Sequence, residues 1–312
     1  MASIDPKYSY HVPVLVREAI HYLITDPSGL YVDATLGGGG YSEVIFSSLD
    51  HQGRVIGIDR DADAVAFAAK RLASYSDRLT LVHNDFGGID EVFHHHHVDR
   101  IDGIVFDLGV SSHQIDEPER GFSYLTDGPL DMRMNRQDTL TAWDVVNTYS
   151  REDLADLFYY YGEERHARRY ARNLVEIRDK KPIQTTGEFA ECVKKWTSPK
   201  WQIKTLSRLF QAIRIEVNGE LRQLEDALVK SGRILKPGGR LVVVTYHSLE
   251  AKIVKRFVRG EIGEFDGETE HYASDSPFKL ITKKAVAPSD EEIEGNTRAR
   301  SAYLRVVEKK VA

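Results

Sequence analysis

Cysteine is almost absent: the 312 residues contain one, Cys192. An intrachain disulfide, a cysteine-rich zinc site and an iron–sulfur cluster are therefore excluded. Methylation at C5 of a pyrimidine normally needs a cysteine nucleophile. Cys192 lies in the helix-like stretch 188–196, far in sequence from the acids described below, and is read as a core or surface residue. No run of 18 apolar residues and no signal-peptide pattern occur, so a soluble, cytoplasmic protein with no membrane partner is expected. Excess positive charge is lacking too, with 42 Lys and Arg against 48 Asp and Glu. Nucleic-acid binders are often basic, so any RNA contact must come from local basic faces. The dinucleotide fingerprint G-x-G-x-x-G is missing as well: its third glycine falls on Ser42 in one register and Glu43 in the other, which disfavours a dehydrogenase.

What is present is a glycine turn behind an acid. Leu30-Tyr31-Val32-Asp33 leads through Ala34-Thr35-Leu36 to Gly37-Gly38-Gly39-Gly40 and a helix-like stretch. Such a turn lets the backbone approach a ligand at a helix N-terminus. Three further apolar runs also close on acids, at Asp59, Asp85 and Asp107, in steps of 26, 26 and 22 residues from Asp33. Each step fits one strand plus one helix, and right-handed crossovers place all four carboxyl ends on one edge of a parallel sheet. There Asp59 can accept hydrogen bonds from both hydroxyls of a ribose, and Asp85 and Phe86 sit where an adenine is bonded and packed. This arrangement resembles the S-adenosylmethionine pocket of class I methyltransferases.

The apolar fraction of 41% is ample for one large core or two smaller ones. Strands are expected near 30–36, 54–59, 79–84 and 101–107, with helices near 40–49 and 61–74. From about 114 to 217 the chain is helix-like and charged, over 151–178, 186–196 and 205–217. A turn at 235–240 then precedes an apolar strand at 241–246, a helix from Leu249, and two strands near 278–286 and 301–308. An acidic, glycine-containing loop at 260–276 is expected to be mobile. The run His94-His95-His96-His97 reads as a solvated loop rather than a metal site, and no metal is expected.

Several segments together resemble one family. They include Tyr10-His11-Val12-Pro13, Asp107-Leu108-Gly109-Val110-Ser111-Ser112-His113-Gln114, Glu119-Arg120-Gly121-Phe122 and Asp127-Gly128-Pro129-Leu130-Asp131-Met132-Arg133-Met134. Phe210-Gln211-Ala212-Ile213-Arg214, Tyr246-His247-Ser248-Leu249 and Arg298-Ala299-Arg300-Ser301 add to them. Nearly end to end, the chain resembles the RsmH (MraW) family of bacterial 16S rRNA cytosine-N4 methyltransferases. The resemblance implies an α/β, Rossmann-like class I fold with a seven-stranded, mostly parallel sheet. Residues 1–113 and 218–312 would form the methyltransferase domain, and 114–217 an inserted helical substrate-recognition domain. It implies S-adenosylmethionine as cofactor, held by Gly39, Gly40, Tyr41, Asp59, Phe86, Asp107 and Gln114. The substrate implied is the exocyclic N4 of one cytidine in the decoding region of 16S rRNA, within the small ribosomal subunit. A homodimer is left open. Tyr41 stands where the family commonly has histidine, which points to a backbone contact, and Lys204-Thr205 replaces the usual His-Pro.

The N4 lone pair of cytosine is delocalised into its ring, so the amine must be held in line and given acceptors as it rehybridises. Asp107, with the carbonyls of 108–110, is the candidate for that work. His247 is either a later proton acceptor, and so catalytic, or the cap of the following helix. Asp127 to Met134 either hold the target nucleotide or pack a loop. Two basic stripes, Arg165/Arg168/Arg169/Arg172 and Lys252/Lys255/Arg256/Arg259, suit rRNA phosphates or are ordinary solvated faces. Methylation of a protein or small molecule, and a non-enzymatic assembly factor, are the competing functions.

Overall fold

The computed structural model describes residues 13–262 and 276–311. Tyr10, His11 and Val12 of the first motif and 263–275 of the expected acidic loop lie outside them. The chain forms two compact units, Met1–Gly109 with Leu221–Ala312, and Val110–Glu220.

The first unit is built on one sheet. Its strands are β1 (Leu30–Asp33), β2 (Arg54–Asp59), β3 (Leu79–His83), β4 (Ile101–Asp107), β5 (Leu235–Thr245), β6 (Phe278–Leu280) and β7 (Tyr303–Lys309). They lie in the order β3-β2-β1-β4-β5-β7-β6. β1 to β5 are mutually parallel, and β7 runs antiparallel between β5 and β6. This is the class I methyltransferase sheet. The chain winds outward from β1 to β3 and then returns to β4, so the crevice for a ligand opens at the carboxyl ends of β1 and β4.

Alternation along the strands sends residues to two faces. Val32, Ile104, Phe106 and Val243 pack with Leu224, Ala227 and Leu228 of helix Glu220–Ile234 and with Ile253 and Phe257 of helix Ser248–Val258. Tyr31, Val105, Val242 and Val244 pack with Ala19, Ile20 and Leu23 of helix Val16–Leu23 and with Ile45 and Phe46 of helix Gly40–Ser48. Both faces are covered, which is why β4 reads as a near-continuous apolar run.

Three expectations change. The helices Val16–Leu23 and Glu220–Ile234 were not anticipated. The turn at 235–240 belongs to β5, as an irregularity where pairing jumps from Ile101↔Leu235 to Gly103↔Arg240. The strand near 278–286 shrinks to Phe278–Leu280, with Val286 making only an isolated bridge to Leu304.

The second unit is helical. Helices Ala142–Thr148, Arg151–Tyr160, Ala167–Arg178, Thr186–Trp196 and Gln202–Asn218 enclose a core that includes Leu154, Phe158, Tyr170, Phe189 and Ile213. Thr141, Ser150 and Thr185 each cap a helix by accepting the amide three residues on. The stretch 151–178 is two helices, broken around Glu163, whose φ is 48°. Cys192 belongs to this core, where burial pushes its thiol up, away from the reactive thiolate.

Leu130, Met132 and Met134 are buried. The Arg120 guanidinium donates to the carbonyls of Arg133 (3.1 Å) and Met134 (2.8 Å). Asn218 accepts the Met134 amide at 2.8 Å and donates to the Met132 carbonyl at 2.8 Å. The packing role of this segment is therefore the one seen. Asn218→Ala strands a buried amide and a buried carbonyl, at roughly 1–3 kcal/mol each. Urea unfolding should show a loss of about 2–6 kcal/mol, and an unchanged midpoint would discount the clamp.

Candidate active site

The carboxyl edge of the sheet gathers Asp33, Asp59 and Asp107 at the ends of β1, β2 and β4. The glycine turn lies above them. Gly37 and Gly39 have φ of 49° and 77°, backbone conformations that L side chains rarely adopt. Gly39 caps helix Gly40–Ser48, and a Cβ on it would lie 3.0 Å from Leu72.

Asp59 ties the turn to β2. One carboxylate oxygen accepts the Gly37 amide at 2.7 Å and the other accepts the Asp61 amide at 2.8 Å. Burial raises its pKa to about 6, against the lowering effect of those two amides. Each oxygen keeps a second lone pair. Arg71 braces the turn from the side, donating to the Gly38 carbonyl at 3.2 Å and to Glu43 at 2.7 Å. No local pattern marks Arg71 for this role, because its partners come from a distant turn.

Asp33 is fully buried beneath the turn. One oxygen accepts the Ser42 hydroxyl at 2.7 Å, and the other is buried without a hydrogen-bond partner among the described residues. Burial first, and then the nearby charges of Asp107 and Asp59, raise its pKa to about 7, despite the Ser42 hydrogen bond that lowers it.

Asp107 is held from two sides. Its amide donates to the Thr35 hydroxyl at 2.6 Å, and its carboxylate accepts the Tyr246 hydroxyl at 2.8 Å. Burial and the Asp107 charge push the Tyr246 phenol far up, so it stays a donor. Thr35 carries no motif, and Tyr246 enters only as the first residue of the 246–249 segment, so the sequence does not link either to Asp107. The only signal was their position, one just past β1 and the other just past β5.

The Tyr41 ring is buried and its hydroxyl donates to the Val14 carbonyl, so what it offers a ligand is its backbone. Phe86 opens a short 3-10 turn after β3 and meets Phe106 edge-on, at 5.9 Å between ring centres. Asp85 pairs with Arg60 at 2.8 Å. His247 is a helix cap: its Nδ1 accepts the Glu250 amide at 3.4 Å, and the Glu250 carboxylate accepts the His247 amide at 3.1 Å. Its Nε2 lies 3.2 Å from the other Glu250 oxygen. Both ring nitrogens thus face Glu250, and of the two roles open to His247, capping is the one visible. Gln114 belongs to the second unit, where its side chain and the Ser111 hydroxyl close a capping box on helix Ser112–Asp116.

The histidine run is exposed, but His94 and His95 close helix Ile89–His95 rather than lying in a loop, and only His96 and His97 follow it. No described helix is long and apolar enough to cross a membrane. In the stripe on helix Ser248–Val258, Arg256 pairs with Glu225 at 2.9 Å, and Arg259 just beyond pairs with Glu261 at 3.5 Å.

Residues 8–310 match the family model described as the MraW methylase family. The chain belongs to that family. A curated relative named ribosomal RNA small subunit methyltransferase H, from Carboxydothermus hydrogenoformans, is 50% identical over 96% of this chain and 97% of its own length. One of the same name from Bacteroides thetaiotaomicron is 44% identical over 97% of this chain and 98% of its own. A solved structure titled as a putative rRNA-methylase from Clostridium thermocellum overlays with a TM-score of 0.45 at 14% identity, covering 96% of this chain and 98% of that one.

The cofactor of this methylase is S-adenosylmethionine. The residues present fit it: two left-handed glycines bring backbone close, and Asp59 has one open lone pair on each oxygen for a pair of ribose hydroxyls.

Proposed function

We propose that this methylase transfers a methyl group to the exocyclic N4 of one cytidine in the decoding region of 16S rRNA, in the small ribosomal subunit. The cytoplasm is then its place of work. The observation that carries the chemistry is the Asp107 carboxylate, fixed by the Tyr246 hydroxyl at the carboxyl end of β4. The rRNA substrate rests on relatives of 44–50% identity that carry that activity in their name.

When bound, S-adenosylmethionine supplies an electrophilic methyl on a sulfonium. Gly39, Gly40 and Tyr41 would hold it by their backbone, Asp59 by the ribose, and Phe86 by packing on the adenine. Gln114 joins this set from the family pattern. Asp107 and the carbonyls of 108–110 orient the amine. Asp107 accepts an N–H hydrogen bond that strengthens as the nitrogen becomes cationic, and it takes that proton as the methylated amine returns to neutral. Tyr246 is a positioning residue that keeps the carboxylate in one rotamer, and His247 holds the start of the following helix. The unit Val110–Glu220 is assigned to substrate recognition.

Transfer of labelled methyl to small subunits from cells lacking the gene, followed by nucleoside mass spectrometry, tests the reading. N4-methylcytidine at a single decoding-region position is expected. Cofactor binding without transfer to any subunit would favour the assembly-factor role instead. Asp107→Asn should lower kcat by about a hundredfold or more, well beyond its smaller effect on cofactor affinity, since Asp107 orients the cofactor as well as the amine. Full turnover in that variant removes Asp107 from the mechanism.

A further inference from the structure

The second unit carries a groove of about 560 Å³ that the basic-stripe reading only half describes. One wall is Arg165, His166 and Arg169, at the start of helix Ala167–Arg178. The other comes from the turn between helices Thr186–Trp196 and Gln202–Asn218, with Trp196, Trp201, Lys204 and Arg208. The groove has one acid, Glu164, which is 3% exposed and pairs with Arg208 at 3.2 Å. Among the described residues Arg165, Arg169 and Lys204 of the groove, and Lys200 beside Trp201, have no carboxylate within ion-pair distance, whereas Arg172 outside the groove pairs with Glu176 at 3.8 Å. A cationic groove whose single acid is already paired, in a chain of net charge −6, calls for an anionic occupant.

The aromatic groups narrow the choice. Trp201 is 51% exposed, with the ammoniums of Lys200 and Lys204 at 5.4 and 5.8 Å from its ring centre. Trp196 is backed by Tyr170, their rings 6.3 Å apart and inclined by 26°. Arg169 is fixed over the Tyr170 ring at 5.0 Å. An indole standing out of a cationic groove is the device by which proteins take single strands: bases stack on the ring and cations follow the phosphates. A duplex offers no base face to such a ring.

We infer that this groove binds a single-stranded RNA segment, with Trp201 stacking a base and Lys200, Lys204, Arg165 and Arg169 taking its phosphates. Phosphates draw the two lysine ammoniums off the indole and leave its face to the base. The inference rests on the rRNA reading above for the identity of the RNA.

Trp201→Ala, Trp201→Phe and the double variant Lys200→Glu/Lys204→Glu test it, all at exposed positions. Fluorescence anisotropy would follow a labelled single-stranded oligonucleotide from the decoding region, alongside methyl transfer to small subunits and cofactor binding by calorimetry. Trp201→Ala should weaken RNA binding about tenfold and raise KM for subunits with kcat unchanged, and Trp201→Phe should restore most of both. The double variant should reduce the slope of log affinity against log salt by about 1.4. Cofactor affinity should be unmoved throughout. Unchanged RNA affinity and subunit KM, with wild-type transfer intact, would overturn the groove and leave the function standing. A raised subunit KM without change in RNA affinity would also overturn it, since the surface would then meet protein. RNA binding that depends on Trp201 without any transfer by the wild type would uphold the groove and sink the function.

Discussion

Asp59→Ala lowers the affinity for S-adenosylmethionine by at least about a hundredfold. Hydrogen bonds to an ionised group are each worth roughly 1.5–3 kcal/mol, and Asp59 makes two before any ligand arrives, to the amides of Gly37 and Asp61. Alanine removes the tie that holds the glycine turn against β2, and with it both acceptors offered to the ribose. Asp59→Asn should fall between the two, because one oxygen still accepts while the amide nitrogen opposes an N–H. The carboxyl of the folded protein titrates at about 6, so binding should also weaken as pH falls through that value. Calorimetry at pH 8 and pH 5.5 on the wild type and both variants measures this. A dissociation constant for Asp59→Ala within threefold of wild type would show that Asp59 neither shapes the turn nor meets the ribose.

The second large effect concerns stability. Asp33 titrates at about 7 in the folded chain against an ordinary value of 3.8. Between those values the folded state keeps a proton that the unfolded state has released. Stability therefore falls as pH rises from about 4 to about 7 and levels off above, where the charged carboxylate sits fully buried. The full penalty is on the order of 4 kcal/mol, at about 1.4 kcal/mol per pKa unit. Asp33→Asn, the isostere of the neutral acid, should lack this contribution. Its stability relative to wild type should climb by about 3 kcal/mol between pH 5 and pH 8, for the two or so pKa units crossed there. Urea unfolding of the cofactor-free proteins at several pH values gives the difference. A difference independent of pH would mean that Asp33 is ionised throughout.

The carboxyl edge was legible in the sequence for a simple reason. Asp33, Asp59 and Asp107 each end an apolar run long enough to cross a covered sheet, and the spacing leaves room for one helix between runs. The groups that hold those acids were not legible. Tyr246 reaches Asp107 across 139 residues and Arg71 reaches Gly38 across 33, and neither pairing has a local pattern. Helix Glu220–Ile234 does carry Leu221, Leu224 and Leu228 at helical spacing, but its charged face, with Glu220, Arg222, Glu225, Asp226 and Lys230, diluted the signal. His247 shows the limit of residue type as a guide. A histidine three residues before a glutamate fits proton transfer and a capping box equally well, and only the hydrogen bonds at Glu250 separate them.

The position of the insertion also bears on how the chain is made. β4 must pair with β5, yet 127 residues lie between Asp107 and Leu235. At translation rates of roughly 5–20 residues per second, β4 emerges about 6–25 seconds before its partner. For that interval the half-sheet ends in an unpaired, almost wholly apolar edge, Ile101-Asp102-Gly103-Ile104-Val105-Phe106. The helices of the second unit are complete within the same interval and can fold from local contacts, which shortens the loop that β5 must close. Slowing or destabilising that unit would lengthen the exposure of β4, so a substitution far from the sheet would surface as aggregation of nascent chains.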